Sequence, residues 1–74
     1  MKIIVKLFAT FRDGRQKILD MNLPESATPQ SIIDALGISQ TEVAILLING
    51  RDGKLDTLLV DNDTVSLFPP VGGG

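Results

Sequence analysis

Thr28-Pro29-Gln30-Ser31-Ile32-Ile33-Asp34-Ala35-Leu36-Gly37 reads as one complete short helix with both ends marked. Thr28 suits the N-cap, where a side-chain oxygen answers the orphan N–H groups of a first turn. Pro29 takes the first helical position, where its missing N–H costs nothing and its fixed φ is already helical. Ile32, Ile33 and Leu36 share one face by i, i+3, i+4 spacing, and Gly37 ends the helix as a C′ residue. A helix of about two to three turns does not hold itself together in water, so this one needs a sheet to pack on.

The sheet lies on either side of it. Upstream, Lys2–Phe8 alternates, with Ile3, Val5 and Leu7 opposed by Lys2, Ile4, Lys6 and Phe8. Arg12-Asp13-Gly14 turns the chain. Lys17–Leu23 then alternates again, with Leu19, Met21 and Leu23 opposed by Ile18, Asp20 and Asn22, so the two runs form a hairpin. Downstream, Val43–Ile48 is an unbroken apolar run of the kind buried on both faces of a sheet. Asn49-Gly50 and Asp52-Gly53 are turn signals. A short edge strand is expected around Thr57–Leu59, and Asp61-Asn62-Asp63 leads into a last strand, Thr64–Phe68, with Val65 and Leu67 on one side. Pro69-Pro70 stops the ladder because neither residue can donate. One helix on a four- to five-stranded mixed sheet is an α+β arrangement. The order hairpin, helix, strand is that of the β-grasp fold, which ubiquitin shares. The expected organisation is one domain over residues 1–71 and a flexible glycine tail, 72–74.

Composition narrows the chemistry. The 74 residues include no Cys and no His, so disulfides, ordinary zinc sites and the usual nucleophile–base pairs are excluded. The net charge of -2, with basic residues scattered and no aromatic stacking platform, speaks against nucleic acid as a partner. Lys2–Phe8 is too short and too charged for a signal peptide or a membrane span. A cytoplasmic protein, monomeric when free, is expected. Asp13, Asp52, Asp61 and Asp63 all sit in turn-like surroundings instead of converging on a pocket. With no active site of its own and no bound cofactor expected, the chain would enter a reaction as a substrate, not as an enzyme.

The C-terminal end offers the group for that role. Taken alone, Gly72-Gly73-Gly74 reads as a disordered end or a linker scar. Here it follows Phe68-Pro69-Pro70-Val71, which stiffens the exit from the last strand. From Pro69 to Gly74 an extended tail reaches about 20 Å at ~3.3–3.6 Å per residue, enough to thread a partner's active site. A terminal carboxylate is ionised at neutral pH and can attack an activated phosphate. Glycines at its approach leave no Cβ to obstruct a narrow channel.

At its two ends the sequence resembles a known family. Val5-Lys6-Leu7-Phe8-Ala9-Thr10-Phe11-Arg12 is similar to the first strand and following loop of molybdopterin synthase small subunits. Leu59-Val60-Asp61-Asn62-Asp63-Thr64-Val65-Ser66-Leu67-Phe68-Pro69-Pro70-Val71-Gly72-Gly73-Gly74 is similar to their C-terminus. Thiamine-pathway sulfur carriers share the fold and the terminal glycine pair, while Phe68-Pro69-Pro70 favours the molybdopterin branch or a tungsten cofactor made the same way. The resemblance implies a cycle. An adenylyltransferase resembling ubiquitin-activating enzymes, using ATP-Mg, adenylates Gly74, with Gly73 as the other half of the pair. Persulfide sulfur then converts the terminus to a thiocarboxylate, and the tail enters the large subunit of molybdopterin synthase (or thiazole synthase) to deliver it. Gly72, an added glycine before that pair, is read as spacer. Asn62, at a turn position often held by Gly, tolerates a left-handed backbone.

Strand alternation leaves Ile4, Phe8, Leu47 and Phe68 on the face away from the helix, where four apolar side chains together suggest a docking patch beside Pro69, Pro70 and Val71. Arg12 either adds a charged contact at the rim or is simply solvated. Two rival classes share the sequence features: a ubiquitin-like modifier joined through Gly74 to target lysines, and a non-covalent β-grasp interaction module.

Overall fold

A computed structural model of the chain describes residues 1–70. Val71, Gly72, Gly73 and Gly74, and with them the expected mobile tail and the boundary at 71, lie outside the described residues. The strands are β1 (Lys2–Leu7), β2 (Ile18–Asn22), β3 (Ile45–Ile48), β4 (Arg51–Asp52) and β5 (Thr64–Phe68), with one α-helix, α1 (Pro29–Leu36). They form a single five-stranded sheet in the order β2-β1-β5-β3-β4. β1 and β5 are parallel at its centre, and every other neighbour is antiparallel.

The helix begins and ends where its residues dictate. Thr28 holds an extended backbone (φ -129°, ψ 169°), and its N–H is capped by the Ser31 hydroxyl at 3.2 Å. Gly37 takes the left-handed conformation at φ 73°, and the Ile38 N–H reaches back to the Ile33 carbonyl at 2.9 Å. Arg15 seals the same end, its Nη2 donating to the Leu36 carbonyl at 2.9 Å. Ile32 and Ile33 are fully buried on the sheet, whereas Leu36 is half-buried at the edge of the core. Beneath them lie Ile3, Val5, Leu7, Val65 and Leu67, all without exposed surface, closed off by Phe11, Ile38, Leu46 and Leu59.

Backbone bonding divides β1 between its neighbours. Ile4 N–H donates to the Asp63 carbonyl at 2.9 Å, and Asn62 N–H donates to the Lys2 carbonyl at 2.7 Å, so the even residues serve β5. Met1 and Leu23 exchange N–H···O bonds of 2.7 and 2.8 Å, and Leu7 N–H donates to Lys17, so the odd positions serve β2.

The downstream half differs from the expectation in three places. No strand forms at Thr57–Leu59. Asn49 and Gly50 both have positive φ (52° and 81°), making a two-residue turn that pairs Ile48 with Arg51 at once. The edge strand is therefore Arg51–Asp52. Leu59 is instead buried in the core, its N–H donating to Ala27 at 3.1 Å, which ties the loop to the start of the helix. Gly53 packs flat because a Cβ there would meet Ile48 Cδ1 at 2.6 Å and Leu46 Cδ2 at 2.8 Å. The run Val43–Ile48 yields a strand only from Ile45, since Ser39 caps a 3-10 turn at Gln40–Glu42 that uses the chain up to Val43. A second 3-10 turn, Ala9–Arg12, follows β1. The Asn62 expectation holds, with φ 70°.

Candidate functional site at the open face

The helix covers only one face of the sheet. On the other, register places Ile18 and Asp20 of β2, Ile4 and Lys6 of β1, Thr64, Ser66 and Phe68 of β5, and Ile45 and Leu47 of β3 side by side. Ile4, Phe8, Leu47 and Phe68, expected together from alternation, do share this face, and all four are half-buried.

Its centre is aromatic. The Phe8 and Phe68 rings stack with centroids 4.2 Å apart and planes 8° from parallel. The Arg12 guanidinium carbon lies 5.2 Å from the Phe8 centroid on the next layer. Arg12 is not simply solvated: it is half-buried, and its Nε donates to the Leu7 carbonyl at 2.7 Å. Ala9 makes this possible. Its φ of 53° folds the chain sharply out of β1, and a left-handed alanine costs about 1 kcal/mol. Phe11 N–H closes the turn onto the Phe8 carbonyl at 3.1 Å.

β5 ends beside this stack. The Phe68 carbonyl accepts the last ladder bond, from Ala44 N–H at 2.9 Å, and the chain then passes through half-buried Pro69 to exposed Pro70. The expected working residues Gly73 and Gly74, with Val71, fall outside the described residues.

Two exposed members of the face stand outside the four grouped from the sequence. Ile45 lies directly opposite Phe68 and is 48% exposed, and Ile18 is 57% exposed. Stepping two residues back from Leu47 finds Ile45. Ile18 was already on the open side by alternation, but its neighbours there are Asp20 and Lys6.

Away from this face, Asp63 and Asn49 are occupied with structure. Asp63 is 8% exposed, and its carboxylate accepts from Asn49 Nδ2 at 2.8 Å and Val60 N–H at 2.9 Å. Asn49 Oδ1 accepts from Thr64 N–H at 2.9 Å, so the pair clamps the β3–β4 turn to the start of β5. Among the described residues no group of three metal-ligating side chains converges, and no helix is long and apolar enough to cross a membrane.

The ThiS family model matches residues 5–74, which is nearly the whole chain. The chain belongs to the ThiS family. Solved structures agree with this membership and with a ubiquitin-like β-grasp. A Pyrococcus furiosus protein assigned as molybdopterin converting factor, subunit 1, is 30% identical with a TM-score of 0.74, covering 96% of this chain and 99% of its own. SAMP1 from Haloferax volcanii is 26% identical with a TM-score of 0.79, each chain covered in full. A Helicobacter pylori complex of subunits 1 and 2 of molybdopterin-converting factor contains a chain 23% identical with a TM-score of 0.67, again over the full length of both, and at that identity it speaks for the fold alone. No curated protein sequence matches at a significant level. The same fold is thus shared with a protein assigned as a molybdopterin converting factor subunit and with SAMP1.

Proposed function

We propose that this ThiS-family chain is a sulfur carrier whose working group is the Gly74 carboxylate, acting as the small subunit of a molybdopterin synthase. The supporting observation is the placement of the Phe8–Phe68 stack at the end of β5, where Pro69-Pro70 carries the chain off the sheet. A partner that grips this face holds the body at a fixed distance from its own active site. The tail then determines what arrives there.

A Gly74 carboxylate oxygen attacks the α-phosphorus of ATP on an adenylyltransferase, with Mg supplied by that enzyme, and pyrophosphate leaves. A persulfide sulfur attacks the resulting acyl-adenylate carbonyl, and AMP leaves with the C–O bonding pair. A thiol then cleaves the acyl disulfide, leaving the thiocarboxylate on Gly74 and a disulfide on the enzyme side. In the large subunit the thiocarboxylate sulfur attacks an electrophilic carbon of the pterin precursor and displaces an oxygen leaving group. Water then cleaves the acyl–sulfur bond of the resulting thioester, leaving the sulfur on the precursor and a carboxylate on Gly74. Subunit 2 in the Helicobacter pylori complex is a partner of the kind this reading requires.

The modifier reading has its own support in the likeness to SAMP1. Both readings share the adenylation step and diverge after it. ATP–pyrophosphate exchange with the cognate activating enzyme tests the shared step. Deleting Gly74 shortens the reach by roughly 3.5 Å, more than an attack geometry tolerates, and should nearly abolish exchange. Exchange at the intact rate refutes the role of the tail. Intact mass from native cells separates the two readings: the carrier gains the difference between sulfur and oxygen, whereas a modifier appears in isopeptide-linked adducts.

A further inference from the structure

The outer edge of β2 is a second surface, adjoining the Phe8–Phe68 face at the Phe8 and Arg12 side chains and independent of whether Gly74 is activated. β2 ends the sheet, with no strand beyond it among the described residues. The Met1–Leu23 exchange and the one-to-one register put the backbone bonds of Leu19 and Met21 on β1. The N–H and C=O groups of Ile18, Asp20 and Asn22 therefore point outward, and among the described residues none of them is bonded across that edge. Their side chains lie on the open face of the sheet, with Ile18 57% exposed.

The edge is not uniform in charge. At its Ile18 end opens a cleft of about 220 Å³ lined by Lys6, Leu7, Phe8, Arg12, Lys17 and Ile18, three cations and no carboxylate in a chain of net charge -2. Asp20 stands one step along the same face. A second copy fits this edge poorly. Antiparallel pairing of β2 with itself about its centre would set Asp20 against Asp20, and like charges directly opposite destabilise a ladder.

We propose that the β2 edge takes up an extended segment of another protein as a sixth, antiparallel strand, selected by charge. Read from its N-terminus, that segment carries a basic or neutral residue opposite Asp20, an apolar residue two positions on opposite Ile18, and an acidic residue two further on above the cleft. Main-chain bonds to Ile18, Asp20 and Asn22 supply the attachment, and the alternate side chains supply the choice. Antiparallel addition is favoured because its hydrogen bonds run straight across the ladder.

The test titrates labelled full-length protein with acetyl-Thr-Lys-Thr-Val-Thr-Glu-Thr-amide to millimolar concentration, observed by amide NMR. Shifts and slowed exchange are expected at the Ile18, Asp20 and Asn22 amides. The peptide with Lys and Glu interchanged should bind about tenfold more weakly, since two favourable cross-strand pairs become unfavourable. Lys17→Glu, at an exposed position, should narrow or reverse that preference. Asp20→Pro removes one outward N–H without touching the β1 ladder and should abolish binding, its fold checked by its own spectrum. Equal binding of both peptides, shifts that spare the three amides, or no shift at all would each overturn the proposal.

Discussion

Replacing Phe68 by alanine separates the two roles of the open face, structural and recognitive. Phe68 is half-buried, so truncation returns about 100 Å² of apolar surface to water, worth ~2.5 kcal/mol at ~25 cal/mol per Å². The ring also leaves the stack with Phe8, 4.2 Å away, and such pairs add ~0.5–1.5 kcal/mol. A total of about 3–4 kcal/mol is set against the ~4–11 kcal/mol expected for 74 residues. From the middle of that range the variant should still fold, with its midpoint lowered by about 12–32 °C. A thermal and urea double-mutant cycle over Phe8→Ala and Phe68→Ala isolates the stack and should return a coupling of about 1 kcal/mol. Affinity for the activating enzyme or the large subunit, titrated below the midpoint, should fall by about 2 kcal/mol or more, roughly thirtyfold. A coupling indistinguishable from zero would refute the stack as an organising contact. Unchanged affinity for both partners would reduce Phe68 to ordinary surface.

Ile33→Asp places an unpaired charge at a fully buried position under the helix and should leave the protein unfolded at 25 °C by far-ultraviolet circular dichroism; a wild-type melt would mean the helix face is wrongly assigned. Asn49→Ala removes the bonds to Asp63 and Thr64 and leaves a non-glycine at φ 52°, a loss of about 3 kcal/mol by urea unfolding. Asn49→Gly relieves only the backbone term, so it should be less destabilising by about 1 kcal/mol, and equal losses would count against that division.

The helix was legible in the sequence because everything that defines it is local. Thr28, Pro29 and Gly37 act on backbone groups within one turn of themselves, and Ile32 and Ile33 declare their face by spacing alone. Alternation in β1 and β5 was equally plain, so the buried set Ile3, Val5, Leu7, Val65 and Leu67 followed from the period of a strand. Much of the open face came with it, since the opposite parity of those strands contains Ile4 and Phe68. Gly72-Gly73-Gly74 and the Pro69-Pro70 pair before them were visible as composition, and the tail expected from them lies outside the described residues.

Other features depended on contacts between residues far apart in sequence. Thr57–Leu59 has strand-like composition, but a strand needs a neighbour, and the Asn49-Gly50 turn had already given that edge to Arg51–Asp52. Leu59 was free to fill the core by the helix instead. Arg12 looked solitary because the groups that hold it, the Leu7 carbonyl and the Phe8 ring, are brought over it only by the left-handed bend at Ala9. No propensity announces an alanine there, since the bend is imposed by packing of Phe11 into the core and Phe8 onto Phe68. The outward edge of β2 is likewise a property of the sheet and not of the strand. Alternation tells which side chains share a face, but which backbone groups remain unpaired is decided only when β5 takes the other side of β1.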